Sequence, residues 1–247
     1  MMIQWEDKAI VLAVESYGER LYLVTLLCAE HGLRRAMLRQ SGRHGAPFQP
    51  GECVLAIWRG RHENQLGAWR LESVRHGPVS IFSNREALLL MDAALSLIRG
   101  FCYEGVPHMR LFGAFDALLL ALEYEHLRRS TFVHFEMCLL DEAGLGLALD
   151  QCAVTGETAG LAYISPRTGH AVTRSAADGY QHRMLPLLPV FHDTTITLET
   201  HAFVEALHVT GHFLEKASAD MVREKYFLPR RSLLSYLADN MTENENG

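Results

Sequence analysis

The residues best suited to chemistry in this 247-residue chain are arginines set among tryptophans near its start. Between Leu33 and Arg75 stand eight arginines, Arg34, Arg35, Arg39, Arg43, Arg59, Arg61, Arg70 and Arg75, against three acids, Glu52, Glu63 and Glu72. The whole chain carries a formal charge of −6 and holds only three lysines, Lys8, Lys216 and Lys225. Guanidinium groups fork onto phosphate oxygens and stack on bases, which ammonium groups do not. With Trp58 and Trp69 interleaved, the mixture matches a groove that neutralises a phosphate backbone and stacks bases. A positive stretch on an acidic chain points to a polyanion partner for that stretch alone. The same charges would also serve as the solvated surface of a barrel, and charge alone leaves both readings open.

Thirteen histidines invite a metal or catalytic reading. His134-Phe135-Glu136 resembles the opening of a zinc deaminase signature, but no Pro-Cys-x-x-Cys follows. His134 and Cys138 are four apart on an expected helix, yet two ligands fall short of the four that a structural zinc site uses. Their apolar neighbours favour a buried histidine and thiol. Gly-x-Ser-x-Gly, Gly-x-x-x-x-Gly-Lys-Ser/Thr and His-Glu-x-x-His are absent, and no cysteine stands beside an obvious general base. The chain therefore reads as a non-enzyme with no catalytic residue, no metal ligand and no cofactor.

The elements that would carry the arginines are short strands. Ala9–Val14, Leu21–Leu27, Leu33–Arg39, Cys53–Arg59 and Trp69–Val74 are β-rich, with reversals at Tyr17-Gly18-Glu19 and Glu30-His31-Gly32. Five such strands fit a small closed barrel of the OB type. In the third strand Arg35, Met37 and Arg39 share a face by alternation, as do Arg59 and Arg61, with Trp58 adjacent. Trp58 and Trp69 are equally at home in the barrel core.

After Pro78 the pattern becomes helical. Ser83-Asn84-Arg85-Glu86 matches a capping box before the apolar run Ala87–Ile98. Further helices are expected over Met109–Tyr124, from a Ser130 cap through Ala143, over Thr200–Ala217, and over Arg231–Asn240 after Pro229. Residues 150–191, rich in Gly, Thr and Pro, read as an irregular insertion. The expected domains are 1–80 and 81–247. At 49% apolar and 21% charged, the chain can bury a substantial core. It has no run of about 18 apolar residues, so no membrane span is expected. The opening residues lack the regions of a signal peptide, and the five widely spaced cysteines suit reduced, buried thiols in a cytosol.

Several segments together resemble the RecO family of bacterial recombination mediators. They are Ile10-Val-Leu12, Tyr17-Gly-Glu19, Thr25-Leu-Leu27, Glu30-His-Gly-Leu33 and Gln49-Pro-Gly51, then the apolar helix Ala87–Phe101. Phe135-Glu136-x-x-Leu-Leu140, Gly144-x-Gly146, Leu149-Asp-Gln-Cys152-Ala-x-Thr-Gly156 and Leu228-Pro-Arg-Arg-Ser-Leu-Leu234 follow in order over nearly the whole chain.

The resemblance implies an α+β multidomain protein: an N-terminal OB-type barrel, then a helical domain with a zinc-finger-like insertion. It implies binding of single- and double-stranded DNA, annealing of complementary strands, and partnership with RecR and the C-terminal tail of single-strand binding protein. Together these place RecA on coated DNA, in the cytoplasm at the nucleoid. Relatives build the insertion round two Cys-x-x-Cys pairs; here Cys152 remains, Thr155 takes the second position, and Ile164–Thr173 holds no cysteine. No zinc is therefore expected. The DNA-binding set is Arg34, Arg35, Arg39, Arg43, Arg59, Arg61, Arg70 and Trp58. The tail is expected at Arg230, Arg231, Leu233 and Leu234, a basic rim beside apolar side chains. The rival expectation is a protein-interaction scaffold whose DNA contact is incidental.

Overall fold

The computed structural model describes residues 2–39, 48–63, 65–78, 80–218 and 224–245. Five strands, β1 (Ile3–Ser16), β2 (Leu21–Cys28), β3 (Gly32–Arg39), β4 (Cys53–Gly60) and β5 (Ala68–Arg75), close into a barrel in the order β1-β2-β3-β5-β4. All pairings are antiparallel except β3 with β5, which meet in parallel at Met37–Ala68 and Leu38–Trp69.

The run Ala9–Ala13 is apolar at every position because both faces of β1 are covered. Ala9 and Val11 join the barrel core, whereas Ile10 and Leu12 join the core of the helices. A register irregularity between Val11 and Ala13 accommodates this, and it is why strict alternation fails in the sequence. The β2–β3 turn is clipped to β1 by Asp7, whose Oδ2 accepts from the backbone N–H groups of Glu30 (2.9 Å) and His31 (3.0 Å). The same oxygen lies 2.8 Å from His31 Nδ1. Gly32 closes this turn at φ +64°, and a Cβ there would stand 1.8 Å from the carbonyl oxygen of Val106. No other residue fits.

Helices α1 (Arg85–Phe101), α2 (Met109–Ala121) and α3 (Glu125–Glu142) follow, and α4 (Thr200–Ser218) and α5 (Leu228–Glu245) complete the bundle. Asn84, not Ser83, caps α1, its Oδ1 accepting from the Ala87 N–H at 3.0 Å. Ser83 belongs to a 3-10 turn, and Glu86 is drawn away to Arg128 and Arg129. Helix α3 starts five residues before Ser130, which is buried with its hydroxyl on Leu127 O. Helix α5 starts at Leu228 and holds Pro229 in its first turn, where a missing N–H costs nothing.

Two buried carboxylates pin the bundle. Glu136, on α3, accepts from Arg230 Nε (2.6 Å) and Nη2 (3.1 Å) on α5 and from the hydroxyl of Thr210 on α4. Arg230 Nη2 also donates to Leu207 O at 2.6 Å. Gly211 makes room, since a Cβ there would meet Arg230 Nη1 at 2.7 Å. Glu86 pairs with Arg128 and Arg129; burial works against its charge, but these guanidiniums prevail and hold its carboxyl below the usual range.

The insertion is more regular than its composition suggests. Strands β6 (Leu161–Ile164), β7 (Ala171–Thr173) and β8 (Leu185–Pro186) form a small sheet in the order β7-β6-β8. Cys152, Val172 and Ala177 make its core. Cys152 Sγ accepts the N–H of Thr173 at 3.3 Å. Burial alone would push this thiol up, but hydrogen bonds from the side chain and backbone of Thr155 and the backbones of Thr173 and Val154 bring it down to about 6. Among the described residues no three His, Cys, Asp or Glu side chains converge as a metal site, so the donor set does not fit a zinc finger.

Removing one partner of a buried ion pair strands the other charge. Arg230→Ala should lower the unfolding free energy by about 3–5 kcal/mol, whereas Arg231→Ala should change it by under about 0.5 kcal/mol. Urea unfolding monitored by circular dichroism checks both, and equal small losses would show that Glu136 does not depend on Arg230. Purified protein should contain far less than one zinc per chain, and chelator should leave its Tm unmoved. Stoichiometric zinc surviving dialysis would overturn this reading of the insertion.

Candidate nucleic-acid interface

Period-two alternation sets the outer surface of the barrel. On β3, Ala36 and Leu38 are buried inside, while Arg35, Met37 and Arg39 face outward. Their partners on β2 are Thr25, Leu23 and Leu21. Leu21, Leu23 and Met37 are half-buried, an apolar strip between two exposed arginines. One row runs across the barrel through Arg59, Ala68, Met37 and Leu23. The β1–β2 turn brings up exposed Arg20, and the β4–β5 loop brings up exposed Arg61.

The expected arginines divide by their partners. Arg39 and Arg61 are exposed and make no ion pair among the described residues. Arg59 donates to Gln4 Oε1 at 2.7 Å. Arg35 lies 3.2 Å from Glu104, and Arg70 lies 3.1 Å from Glu72, both pairs in solvent and so readily exchanged. Arg34 is half-buried and is positioned by two backbone carbonyls, His31 O (3.3 Å) and Glu63 O (3.2 Å). Arg75 pairs with Asp116 on α2 and serves the junction with the helices. Arg43 lies outside the described residues.

Trp58 corrects one expectation. It is 2% exposed, in the inner row Trp58, Trp69, Leu38 and Tyr22, with its ring 5.7 Å from and nearly parallel to that of Trp5. Neighbours on a strand point to opposite faces, so a residue next to Arg59 points inward. Its ring face is therefore closed to a base. Trp69 is likewise core, its indole N–H donating to Val24 O at 3.2 Å.

The expected tail site does not form. Arg230 is 4% exposed and committed to Glu136, and Leu233 is fully buried. Leu234 packs on the core, and Arg231 is exposed but paired with Glu224 at 2.8 Å. The guanidinium that looked like a surface cation is consumed by a buried carboxylate, which sequence order could not show. His134 and Cys138 do meet, at 3.6 Å. His134 is exposed, not buried as expected, because it lies on the outer side of α3, while Cys138 is buried. Partial desolvation, then Arg110, pushes His134 down, and burial pushes the Cys138 thiol up. Glu136 of the His-Phe-Glu triplet is structural.

Two residues escaped the sequence reading. Arg20 was legible as a base inside the first turn. Glu104, in the α1–α2 loop, carried no signal, because its proximity to Arg35 depends on how the helices dock.

Comparison with known proteins agrees with this architecture. Residues 2–75 match the family model of the recombination protein O N terminus, and residues 83–221 match that of its C terminus. A DNA repair protein RecO from Phenylobacterium zucineum is 40% identical over 215 residues, covering 86% of this chain and 88% of the relative. The Paracoccus denitrificans protein of the same name is 36% identical over 234 residues, covering 94% and 95%. With both family models matched in order along the chain and such relatives spanning nearly its whole length, the chain belongs to the recombination protein O (RecO) family.

Proposed function

We propose that the chain is a DNA repair and recombination mediator that binds single- and double-stranded DNA through an OB-type domain, residues 1–80. Residues 81–247 would form the helical domain that carries the insertion. OB domains bind oligonucleotides on the face of their second and third strands, between the β1–β2 and β4–β5 loops. The observation that carries the reading is the content of that surface here: Arg35 and Arg39 on β3, Arg20 and Arg61 in the two loops, and Leu21, Leu23 and Met37 between them.

Such a surface neutralises phosphates and covers bases with apolar side chains, without reading base edges. Holding two screened strands side by side raises their local concentration, so complementary strands anneal without a covalent step, and the protein is not an enzyme. Membership of the family supports the remaining parts: action with RecR, loading of RecA onto DNA coated by single-strand binding protein, and work in the cytoplasm at the nucleoid. No helix among the described residues is long and apolar enough to cross a membrane.

For the acidic, apolar-ended tail of single-strand binding protein, the groove between α1 and α5 offers a basic rim beside apolar side chains. Arg85, Leu89, Leu228, Arg231 and Tyr236 line this cavity of about 580 Å³, with the Arg85 guanidinium 5.2 Å from the Tyr236 ring centre.

Reversing Arg20, Arg39 and Arg61 to glutamate together should weaken oligothymidylate binding and flatten its salt dependence by about 0.7 in slope per lost phosphate contact. The circular dichroism spectrum should not change. Unaltered affinity and slope would favour a scaffold with incidental DNA contact. A tail peptide should lose about 1 kcal/mol or more of binding to Arg85→Ala with Arg231→Ala; equal affinity for both proteins would place the tail elsewhere.

A further inference from the structure

The barrel closes between β3 and β5 over only two residue pairs. At its end, β3 is held by β5, with the Met37 N–H on Gly67 O at 3.0 Å. At its start, the α1–α2 loop takes that role: Leu33 bridges Glu104, and the Gly105 N–H donates to Leu33 O at 2.9 Å. Between these two contacts lies a cavity of about 350 Å³, lined by Arg34, Arg35, Trp58, Glu63, Leu66 and Glu104 among others. Leu33 and Met37 both turn their backbone polar groups to this side, so by alternation those of Arg35 do too. They meet no backbone partner among the described residues.

Other unpaired groups converge here. The Trp58 indole N–H donates to no described residue, although the side chain is 2% exposed and lines the cavity. Arg34 is held by backbone carbonyls alone, with no carboxylate within ion-pair distance among the described residues. Arg35 is held by Glu104, whose side chain is 47% exposed. Leu66 is 58% exposed at the mouth. A strand edge and an indole N–H without a protein acceptor among the described residues, beside an arginine without a carboxylate, point to an anionic ligand with acceptor groups. The volume is that of a small-ligand site.

Resting on the DNA-binding reading of the barrel, we propose that this cavity is a subsite for one nucleotide of a bound single strand, with Glu104 as its internal competitor. The phosphate takes Arg34 and Arg35, displacing the Glu104 carboxylate into solvent. The base lies against Leu66 and offers an acceptor to the Trp58 indole N–H. Every base carries such an acceptor, so the subsite holds a strand without selecting sequence. Glu104 pairs Arg35 when the cavity is empty, which leaves Arg34 as the cation without a carboxylate partner among the described residues. Glu104 also sits in the loop that joins α1 to α2, so strand entry is felt by the helices.

Oligothymidylate titration by fluorescence anisotropy tests this on the full chain, comparing wild type, Glu104→Gln, and Arg39→Glu with Arg61→Glu. Glu104→Gln should bind about two- to five-fold more tightly, as expected for freeing one exposed ion pair. Its salt slope should steepen by about 0.7. In a ¹⁵N-tryptophan spectrum the Trp58 indole resonance should move on addition of the oligonucleotide, while that of Trp69, already bonded to Val24, should not. An unmoved Trp58 resonance, with unchanged affinity of Glu104→Gln, would overturn the subsite. If the arginine reversals still weakened binding, the barrel reading would stand without it. If they too had no effect, both readings would fall together.

Discussion

One strand with two buried faces governs the rest of this structure. Residues Ala9–Ala13 lie almost wholly out of water, and no single layer can cover both sides of a strand. The barrel core takes Ala9 and Val11, and the helices must take Ile10 and Leu12. A barrel of this sequence therefore cannot be finished without the helical part packed against it. The helices thereby cover this stretch of β1, while exposed side chains remain on β3, β4, β5 and the loops. Arg35, Arg39, Arg59 and Arg70 stand on those strands, and Arg20 and Arg61 in the loops beside them.

Charge is used in two opposite ways in the two halves. In the helical part, Glu86 and Glu136 are desolvated, and each is tolerated only because guanidinium groups reach it within hydrogen-bonding distance. These pairs fix which helix faces which, and they consume arginines that would otherwise look like surface cations. On the outer face of the barrel, Arg35, Arg39, Arg59, Arg61 and Arg70 stay in water with weak or no carboxylate partners among the described residues. Such cations are cheap to redirect onto phosphate, because an exposed ion pair contributes little to stability. The Arg35–Glu104 contact joins the two regimes: it lies in solvent, yet it spans barrel and helices.

The strands and the outer arginines were legible because period-two alternation and turn residues are local signals. Arg35, Met37 and Arg39 face outward together as spacing implies. The face of Trp58 was equally implied by alternation, but its neighbourhood of arginines drew it toward the site. Arg230 was misjudged for a deeper reason. Its partner Glu136 lies 94 residues away, and a pair formed by helix packing leaves no trace in local pattern. The small sheet in the insertion was hidden because its strands are two to four residues long and its polar composition reads as loop. The Glu104 contact needs tertiary structure to be seen at all.

The central claim is that a single strand lies along β2 and β3 of the barrel. Photocrosslinking of a halogenated-pyrimidine oligonucleotide, with the attached peptides identified by mass spectrometry, tests it directly. The account predicts adducts within residues 17–23, 34–39 and 59–67. Adducts confined to the helices after residue 85 would contradict it.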